Sequence, residues 1–533
     1  MDSIYEQFKN PENAYRSKPF WAWNGALEEQ ELRRQIDVMK EMGFGGFFMH
    51  SRTGLQTQYL GKEWFSLVNA CTEAAVEKGM EPWIYDEDRW PSGAAGGIAT
   101  EQPRYRRKYL TLSLEKRIIN RENILAVFCG RVDGYCLQGG YRQISPDEYD
   151  IDCLAEDVYL VFRIHTMACQ SVYNGFADLD RLDPEATALF LQVTHQQYKA
   201  KCADTFRDIV GVFTDEPHRG MVFSDFSDPG QERNWSIPWT PSLPQEFEKC
   251  CGYSLIEKLP ELFLQLNGNR VAKIKWQYME LLLQMFTDNF LQPIQAWARE
   301  NGKKITGHLL NEDSLMSQTV PCGSMMRCYH YFDEPGIDCL TENRFVPWAV
   351  KALESVARQT GKQWKLSELF GATGWQMSFK DYKYLGDWQT VLGINVRCPH
   401  LSWYTMKGEA KRDYPGSFLH QATWYREYAQ LEEYFARLAE IVSHGTPVCD
   451  TLVIHPVESL WCSIHPGWAN ALDAAEPELQ KIEKQFENLF HWLMQTHVDF
   501  DYGDEGLMAK NAVVEAKDGD CGLRMGKMIY RTL

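Results

Sequence analysis

Met42-Gly-Phe-Gly-Gly-Phe-Phe-Met-His50 is the stretch that decides the fold, because a helical segment ends at Gly43 and an apolar strand follows almost at once. A glycine just past a helix supplies the left-handed C-cap that ends the helix. The same order of helix, glycine, short apolar strand and polar residue returns four more times, in 78–88, 302–308, 361–368 and 392–400. Such repetition is typical of parallel β/α units, whose strands are buried between helices.

These repeats predict an α/β fold, a (β/α)8 TIM barrel whose eight strands deliver their C-terminal residues to one mouth. Segments in which apolar and polar residues alternate interrupt the repeated β/α pattern and predict a small β-rich insertion after strand 3. After strand 8, the sequence predicts the start of a further α/β unit that is not completed. We expect a fragment of a longer protein rather than a unit completed by a partner. The predicted parts are 1–106 (strands 1–3), 107–172 (the insertion), 173–444 (strands 4–8) and 445–533 (an incomplete C-terminal α/β domain).

Composition limits the classes of partner. The 533 residues carry 55 basic and 73 acidic side chains, a net charge of −18, and no basic stripe stands out. Nucleic acid and anionic membranes both need clustered Lys and Arg, so we expect neither as a partner, while an oligomer stays open. Fifteen cysteines without a CxxC pair, and an N-terminus without an apolar leader, predict a reducing cytoplasm.

Aromatic residues are unusually frequent, with 18 Trp, 25 Tyr and 27 Phe. Many fall at predicted strand ends or in the loops that follow them. Core packing is the ordinary explanation, and we prefer it for Trp83. Tryptophans in loops close to carboxylates more often indicate a ligand with flat apolar faces, such as a sugar ring.

Two glutamates form the sharpest candidate pair. Glu216 follows strand 4 and Glu368 ends strand 7, and these strands face each other across an eight-stranded barrel. Cleavage of a glycosidic bond needs one carboxylic acid to protonate the leaving oxygen and a second group as nucleophile or base. The neighbouring Asp215 should raise the pKa of Glu216 and keep it protonated. Alternatively, either glutamate could only pair with an arginine at the mouth.

Further acids and histidines reach the same predicted mouth. Asp86-Glu87-Asp88 ends strand 3, and three adjacent acids need a positive group among them, which could be Arg52, Arg89 or a hard cation such as calcium. The run could hold sugar hydroxyls or could be a solvated turn. Histidines end strands 2, 5 and 8, and a single histidine there is often a core group. The sequence contains no HExxH motif, Walker loop, GxGxxG or GxSxG elbow, so it does not support the chemistries that these motifs serve.

Five motifs together carry a family resemblance: Phe20-Trp-Ala-Trp-Asn24, Gly45-Gly-Phe-Phe-Met-His50, Trp83-Ile-Tyr-Asp-Glu-Asp-Arg-Trp-Pro-Ser-Gly93, Phe213-Thr-Asp-Glu-Pro217 and Ser367-Glu-Leu-Phe-Gly371. With these motifs the chain resembles the α-L-rhamnosidase-like glycoside hydrolases of family 106, over most of residues 15–440. Members are (β/α)8 barrels with added β-sandwich domains that remove terminal sugars, often from plant polysaccharides. The resemblance implies a catalytic acid at Glu216, a base or second carboxylate at Glu368, and a calcium ion near the site on residues that we do not assign.

We therefore predict an exo-acting glycoside hydrolase that cleaves a terminal sugar from an oligosaccharide or glycoside, with Glu216 and Glu368 as the catalytic residues and no cofactor that the sequence itself requires. An inactive or truncated carbohydrate-binding barrel and a metal-dependent barrel hydrolase or isomerase are the alternatives. The predicted substrate-binding residues are Trp21, Trp23, Asn24, His50, Arg52, Asp86, Glu87, Trp90, Asp215, His308, Glu342, His400 and Trp403.

Overall fold

Parallel strands form a closed barrel at the centre of the chain. The computed structural model describes residues 2–149, 153, 156–224, 235–342, 344–517 and 520–533. Each barrel strand pairs in parallel with its neighbours, and a short continuation of strand 8, Ser402–Trp403, pairs with strand 1 and closes the ring. The predicted (β/α)8 barrel is confirmed. Strands 1 to 8 are Phe20–Trp23, Gly46–Ser51, Glu81–Tyr85, Gly211–Asp215, Lys304–His308, Glu334–Cys339, Leu366–Leu369 and Val396–Pro399.

Helices surround the barrel, and none in the described part of the chain is both long and apolar enough to cross a membrane. The five glycines of the repeated motif all have positive φ, between +63° and +118°, as the left-handed C-cap requires. The helices are Asp2–Lys9, Glu29–Glu41, Lys62–Glu77, Pro184–Val193, His195–Lys201, Leu243–Cys251, Leu259–Phe263, Lys273–Phe286, Gln292–Glu300, Leu315–Thr319, Met325–Tyr329, Pro347–Thr360, Phe379–Val391, Tyr428–Val442, Val457–Trp461, Pro477–Gln495 and Glu505–Asn511.

Aromatic rings fill the inside of the barrel. Phe20 packs against Phe48 at 5.7 Å, Tyr85 at 5.6 Å and Phe213 at 4.7 Å between ring centroids, each edge to face. Leu366 and other apolar side chains complete the same buried cluster. Because alternate residues of a strand point to opposite faces, the residue two positions further along each strand also points inward, above these rings. The cluster therefore forms an aromatic floor beneath the mouth.

The segment of the chain that connects barrel strands 3 and 4 forms most of a second, six-stranded β-sheet. Its four main strands come from the predicted insertion and pair antiparallel. Two short strands from later in the chain, Ser236–Trp239 and Gln265–Leu266, extend this sheet at its edges. The sheet therefore recruits segments that the sequence analysis placed with the barrel. The four insertion strands are Lys108–Glu115, Ile124–Asp133, Cys136–Gln143 and Val158–Thr166.

The C-terminal unit contains a parallel strand pair, Thr451–His455 with Phe500–Asp504. An antiparallel three-stranded sheet follows within 512–530, and a two-stranded hairpin lies within 469–474. The unit thus combines parallel strands with helices, which is an α/β arrangement.

Arg327 joins this C-terminal unit to the barrel region. Its guanidinium forms ion pairs with Asp504, at 2.6 Å, and with Glu280 and Glu458. The Asp504 side chain is completely buried, so water could not solvate its charge if the arginine were removed. A buried carboxylate that loses its cation is strongly unfavourable.

We expect Arg327→Met to lower the free energy of unfolding by about 3–5 kcal/mol, because the buried Asp504 would lose its partner. Denaturant unfolding measures the change. The matched control is Arg412→Met, which breaks an exposed pair with Glu409 and should cost about 0–1 kcal/mol. Equal losses in the two variants would contradict a special role for Arg327.

Candidate active site

Polar side chains from most of the barrel strands converge above the aromatic floor. Each lies at or next to the C-terminal end of its strand, where the alternation turns it inward, and nearly all are buried. The ends of strands 2, 3, 4, 5, 7 and 8 supply His50, Tyr85, Asp215, His308, Glu368 and His400. The mouth is therefore rich in groups that can exchange protons.

His308 is the centre of this cluster. Its Nε2 atom lies 2.5 Å from Oε2 of Glu368 and 3.3 Å from Oδ1 of Asp215. The hydroxyl of Tyr85 donates a hydrogen bond of 2.5 Å to Oδ2 of Asp215. His308 of strand 5 thus lies between Asp215 of strand 4 and Glu368 of strand 7, and the barrel strands fix the positions of all three side chains.

The charges of this group depend on each other. Burial alone would lower the pKa of His308, but the carboxylates of Glu368 and Asp215 overcome it and raise that pKa well above its usual range. Burial raises the pKa of Glu368, and the charge of His308 opposes this rise. Protonated His308 therefore stabilises the anionic form of Glu368, whereas burial favours the protonated form. Removing the histidine would leave a buried charge uncompensated.

Glu216 is placed at the mouth next to this cluster. Its backbone N–H extends the strand ladder to the carbonyl of His308, and its φ of +46° turns the chain just beyond the strand. Burial, and then the charge of Asp215, raise the pKa of its carboxyl group well above the ordinary value. No residue in the described ranges hydrogen-bonds to this carboxyl group, which is partly exposed. It is therefore protonated and free to meet a ligand.

Arg52 organises the opposite side of the mouth. It forms an ion pair of 2.7 Å with Asp413 and lies 3.1 Å from Nε2 of His50 and 3.5 Å from Nε2 of His400. The guanidinium also stacks on the ring of Trp90 at 4.3 Å. Burial and this neighbouring cation lower the pKa of both histidines well below the usual value. Both rings are therefore neutral and can donate or accept hydrogen bonds.

Strand 6 contributes Asp338, which the sequence analysis missed. The residue pairs in register with Glu368 on strand 7, and its Oδ1 atom is buried without a partner among the described residues. Glu342, which we predicted instead, lies beyond the end of strand 6 and contacts none of these groups in the structure. The alternation of inward and outward residues from Gly336 predicts that Asp338 points inward. Glu342 was chosen instead because it is the acidic residue at the end of the predicted strand.

The two acids predicted at the end of strand 3 have structural roles, which corrects that prediction. Asp86 accepts hydrogen bonds from the hydroxyls of Ser92 and Thr214. Glu87 accepts hydrogen bonds from the backbone N–H groups of Asp88, Gly93, Ala95 and Gly96. These bonds hold the glycine-rich loop that follows the strand, because its N–H groups have no ladder to join.

Three further predicted residues pack away from the mouth. Trp21 and Trp23 are completely buried on the outer face of strand 1, where Trp23 meets Trp64 of the helix layer at 4.9 Å. They cannot line the substrate-binding site, because their side chains point away from the barrel interior. Asn24 exchanges two hydrogen bonds with the backbone of Thr405 and so ties strand 1 to the loop after strand 8.

Trp403 is at the mouth but is not accessible. Its side chain is completely buried, and its indole N–H donates to the carbonyl of Asp413. Trp375 packs on it edge to face at 5.7 Å and is itself 45% exposed. Trp403 therefore supports the loop, and Trp375 presents the accessible ring, although the sequence analysis did not select it as a site residue.

Asp215, His308 and Glu368 could also form a metal site, since their ligand atoms lie within 4.8 Å of one another. Calcium prefers sites made only of oxygen ligands, and a histidine stands at the centre of this group. The residues present therefore do not fit the calcium ion that the family resemblance implies. A transition metal would suit one nitrogen and two oxygen ligands better.

Comparison with known proteins supports the fold. No protein-family profile matches the chain. A putative beta-glucuronidase of Formosa agariphila is 24% identical over 228 residues, which is 40% of this chain and 18% of that protein. A rhamnosidase from Novosphingobium sp. PP1Y superposes with a TM-score of 0.68 at 15% identity, covering 99% of this chain and 66% of that one. The chain thus spans just under two thirds of the rhamnosidase and shares its fold.

Buried acids should make stability depend on pH. Burial raises the pKa of Asp86 to about 7 and those of Glu87 and Glu312 to about 8. The folded state therefore keeps protons that the unfolded state releases above its own lower pKa values. Since the folded state binds more protons at these three groups, their contribution to the free energy of unfolding should fall as the pH rises from about 5 to about 8.

Glu312→Gln cannot titrate, so its free energy of unfolding should fall less steeply, by up to about 1.4 kcal/mol per pH unit. Denaturant unfolding across this pH range tests the expectation. Glu409→Gln, at a side chain that is 77% exposed, should follow the wild-type slope. The same slope in Glu312→Gln and the wild type would show that the pKa of Glu312 is not raised.

Proposed function

We propose that this chain is a glycoside hydrolase that removes a terminal sugar, with Glu216 as general acid and Glu368 as the second carboxylate. The observation that carries the proposal is the different environment of the two groups. Glu216 carries its proton without a hydrogen-bond partner among the described residues, whereas His308, 2.5 Å from Glu368, stabilises the anionic form of that second carboxyl group. Glycosidic cleavage needs one carboxyl group in each of these states.

The proposed reaction uses the mouth as follows. Glu216 donates its proton to the glycosidic oxygen as the bond to the leaving group breaks. Glu368 faces the anomeric carbon, either as nucleophile or as the base that takes a proton from water. Protonated His308 favours the charged form of Glu368 before the reaction, and Asp215 holds His308 in place. Proton NMR of the first-formed anomer distinguishes retention from inversion and so decides which role Glu368 has.

We propose an exo mode of action because the family resemblance implies it. The aromatic floor closes the barrel below His308 and Glu368, so a substrate can reach these groups only from the mouth. We propose α-L-rhamnosides as the first substrates to test and β-glucuronides as the second, because the similar proteins carry those names. A cytoplasmic location is also proposed, supported by fifteen cysteines that are all free thiols.

Leaving-group dependence tests the role of Glu216. A 2,4-dinitrophenyl group departs without protonation, whereas a methyl glycoside needs the acid. We expect Glu216→Gln to lower kcat/KM for the methyl glycoside by about 10²–10⁴-fold and to affect the dinitrophenyl glycoside much less. Equal losses on both substrates would exclude Glu216 as the acid.

Glu368→Gln should abolish turnover of both substrates, because its role does not depend on the leaving group. The matched control is Glu342→Gln, at the predicted residue that the structure places outside the cluster, and it should retain wild-type kcat/KM. Near-normal hydrolysis by Glu368→Gln would remove this residue from the reaction. Binding of a sugar without hydrolysis by the wild type would favour a carbohydrate-binding barrel instead.

The cluster of Asp215, His308 and Glu368 favours one alternative, a metal-dependent hydrolase or isomerase. Against it, Nε2 of His308 already contacts Glu368, and the raised pKa of His308 means that a metal would have to displace a proton. Dialysis against a chelator distinguishes the two. Loss of activity that a transition metal restores would support the alternative, whereas unchanged activity would eliminate it.

A further inference from the structure

Tyr414 lies in the loop that follows strand 8 and was not among the predicted site residues. Its φ of +48° is uncommon for a residue with a side chain. The preceding residue, Asp413, is fixed from two sides, by the ion pair with Arg52 and by the indole N–H of Trp403. The loop therefore holds the tyrosine in one place above the mouth rather than leaving it in solvent.

The ring of Tyr414 contacts the ends of several strands at once. Its centroid lies 5.2 Å from that of His400 on strand 8 and 5.9 Å from that of Trp90 after strand 3. The guanidinium of Arg52, just after strand 2, is 5.5 Å from the ring. The ring therefore reaches from strand 8 over the mouth towards strands 2 and 3.

The hydroxyl of Tyr414 has no hydrogen-bond partner in the part of the chain that the structure describes, and the side chain is partly exposed. Burial raises the pKa of this hydroxyl, the cation of Arg52 opposes the rise, and Glu216 and Asp338 add to it in their ionised forms. The hydroxyl thus keeps its proton and lies within the electrostatic reach of acids on strands 4 and 6.

We propose that Tyr414 is a substrate-contacting residue, whose ring covers the sugar bound between Glu216 and Glu368 and whose hydroxyl donates a hydrogen bond to that sugar. This inference rests on the proposed function. The ring and the hydroxyl have separate tasks: the ring excludes water from the acids, and the hydroxyl orients the sugar. A hydroxyl without a protein partner is available for a ligand, and the loop that carries it is already fixed before binding.

Tyr414→Phe tests the hydroxyl alone, because the ring and its contacts remain. We expect kcat/KM on the nitrophenyl glycoside that the wild type hydrolyses best to fall about tenfold, with an unchanged melting temperature. The loss should appear mainly in KM if the bond forms on binding, and mainly in kcat if it strengthens in the transition state. Tyr384→Phe, at a tyrosine that is 59% exposed on helix Phe379–Val391, is the control and should match the wild type.

Wild-type kcat/KM in Tyr414→Phe would overturn the proposal. If the wild type hydrolyses no glycoside, the proposed function fails, and the tyrosine is tested by binding. Saturation-transfer NMR with L-rhamnose and then with D-glucuronate compares the wild type with Tyr414→Phe. Weaker binding by the variant would support the contact, whereas equal binding, or no binding to the wild type, would overturn it.

Discussion

The contact between Nε2 of His308 and Oε2 of Glu368, at 2.5 Å, is the interaction on which the candidate site depends. It joins strands 5 and 7, which are separated by strand 6 in the sheet, and so it depends on the curvature that turns both side chains into the barrel. Each partner is almost completely buried, and neither charge would be stable there alone. The barrel therefore brings the two groups together, and the pair in turn sets the protonation of the mouth.

Cations fixed by carboxylates recur at the other critical points of the structure. Arg52, held by Asp413, adds to the burial that keeps His50 and His400 neutral, and it supports the loop that carries Tyr414. Arg327 fastens the C-terminal unit in the same manner. Because these charges lie in places that water does not reach, each one specifies a single geometry rather than adding much net stability.

Much of the fold could be predicted from local signals. Each glycine of the repeated motif has the left-handed conformation that its position after a helix indicates, and the strands follow where predicted. The short strands 236–239 and 265–266 were missed, since they have no pattern of their own and exist by pairing with a distant sheet edge. At the mouth, His50, Arg52, Trp90, Asp215, Glu216, His308, Glu368 and His400 lie where their strand ends indicated. Trp21, Trp23, Asp86 and Glu87 do not face it.

The sequence by itself determined the closed α/β architecture and the set of strand ends at which acids and histidines collect, because glycine caps and apolar runs act over a few residues. Only the tertiary structure decided which of these groups meet. Inward and outward positions alternate along a strand. Tyr85 pairs with Phe213, so Asp86 is one position short of the level of Asp215 and points out of the barrel, whereas Asp215 points into the mouth. Tyr414 shows the same limit, because its place over the mouth is fixed by contacts with Arg52 and Trp90, which are remote in the chain.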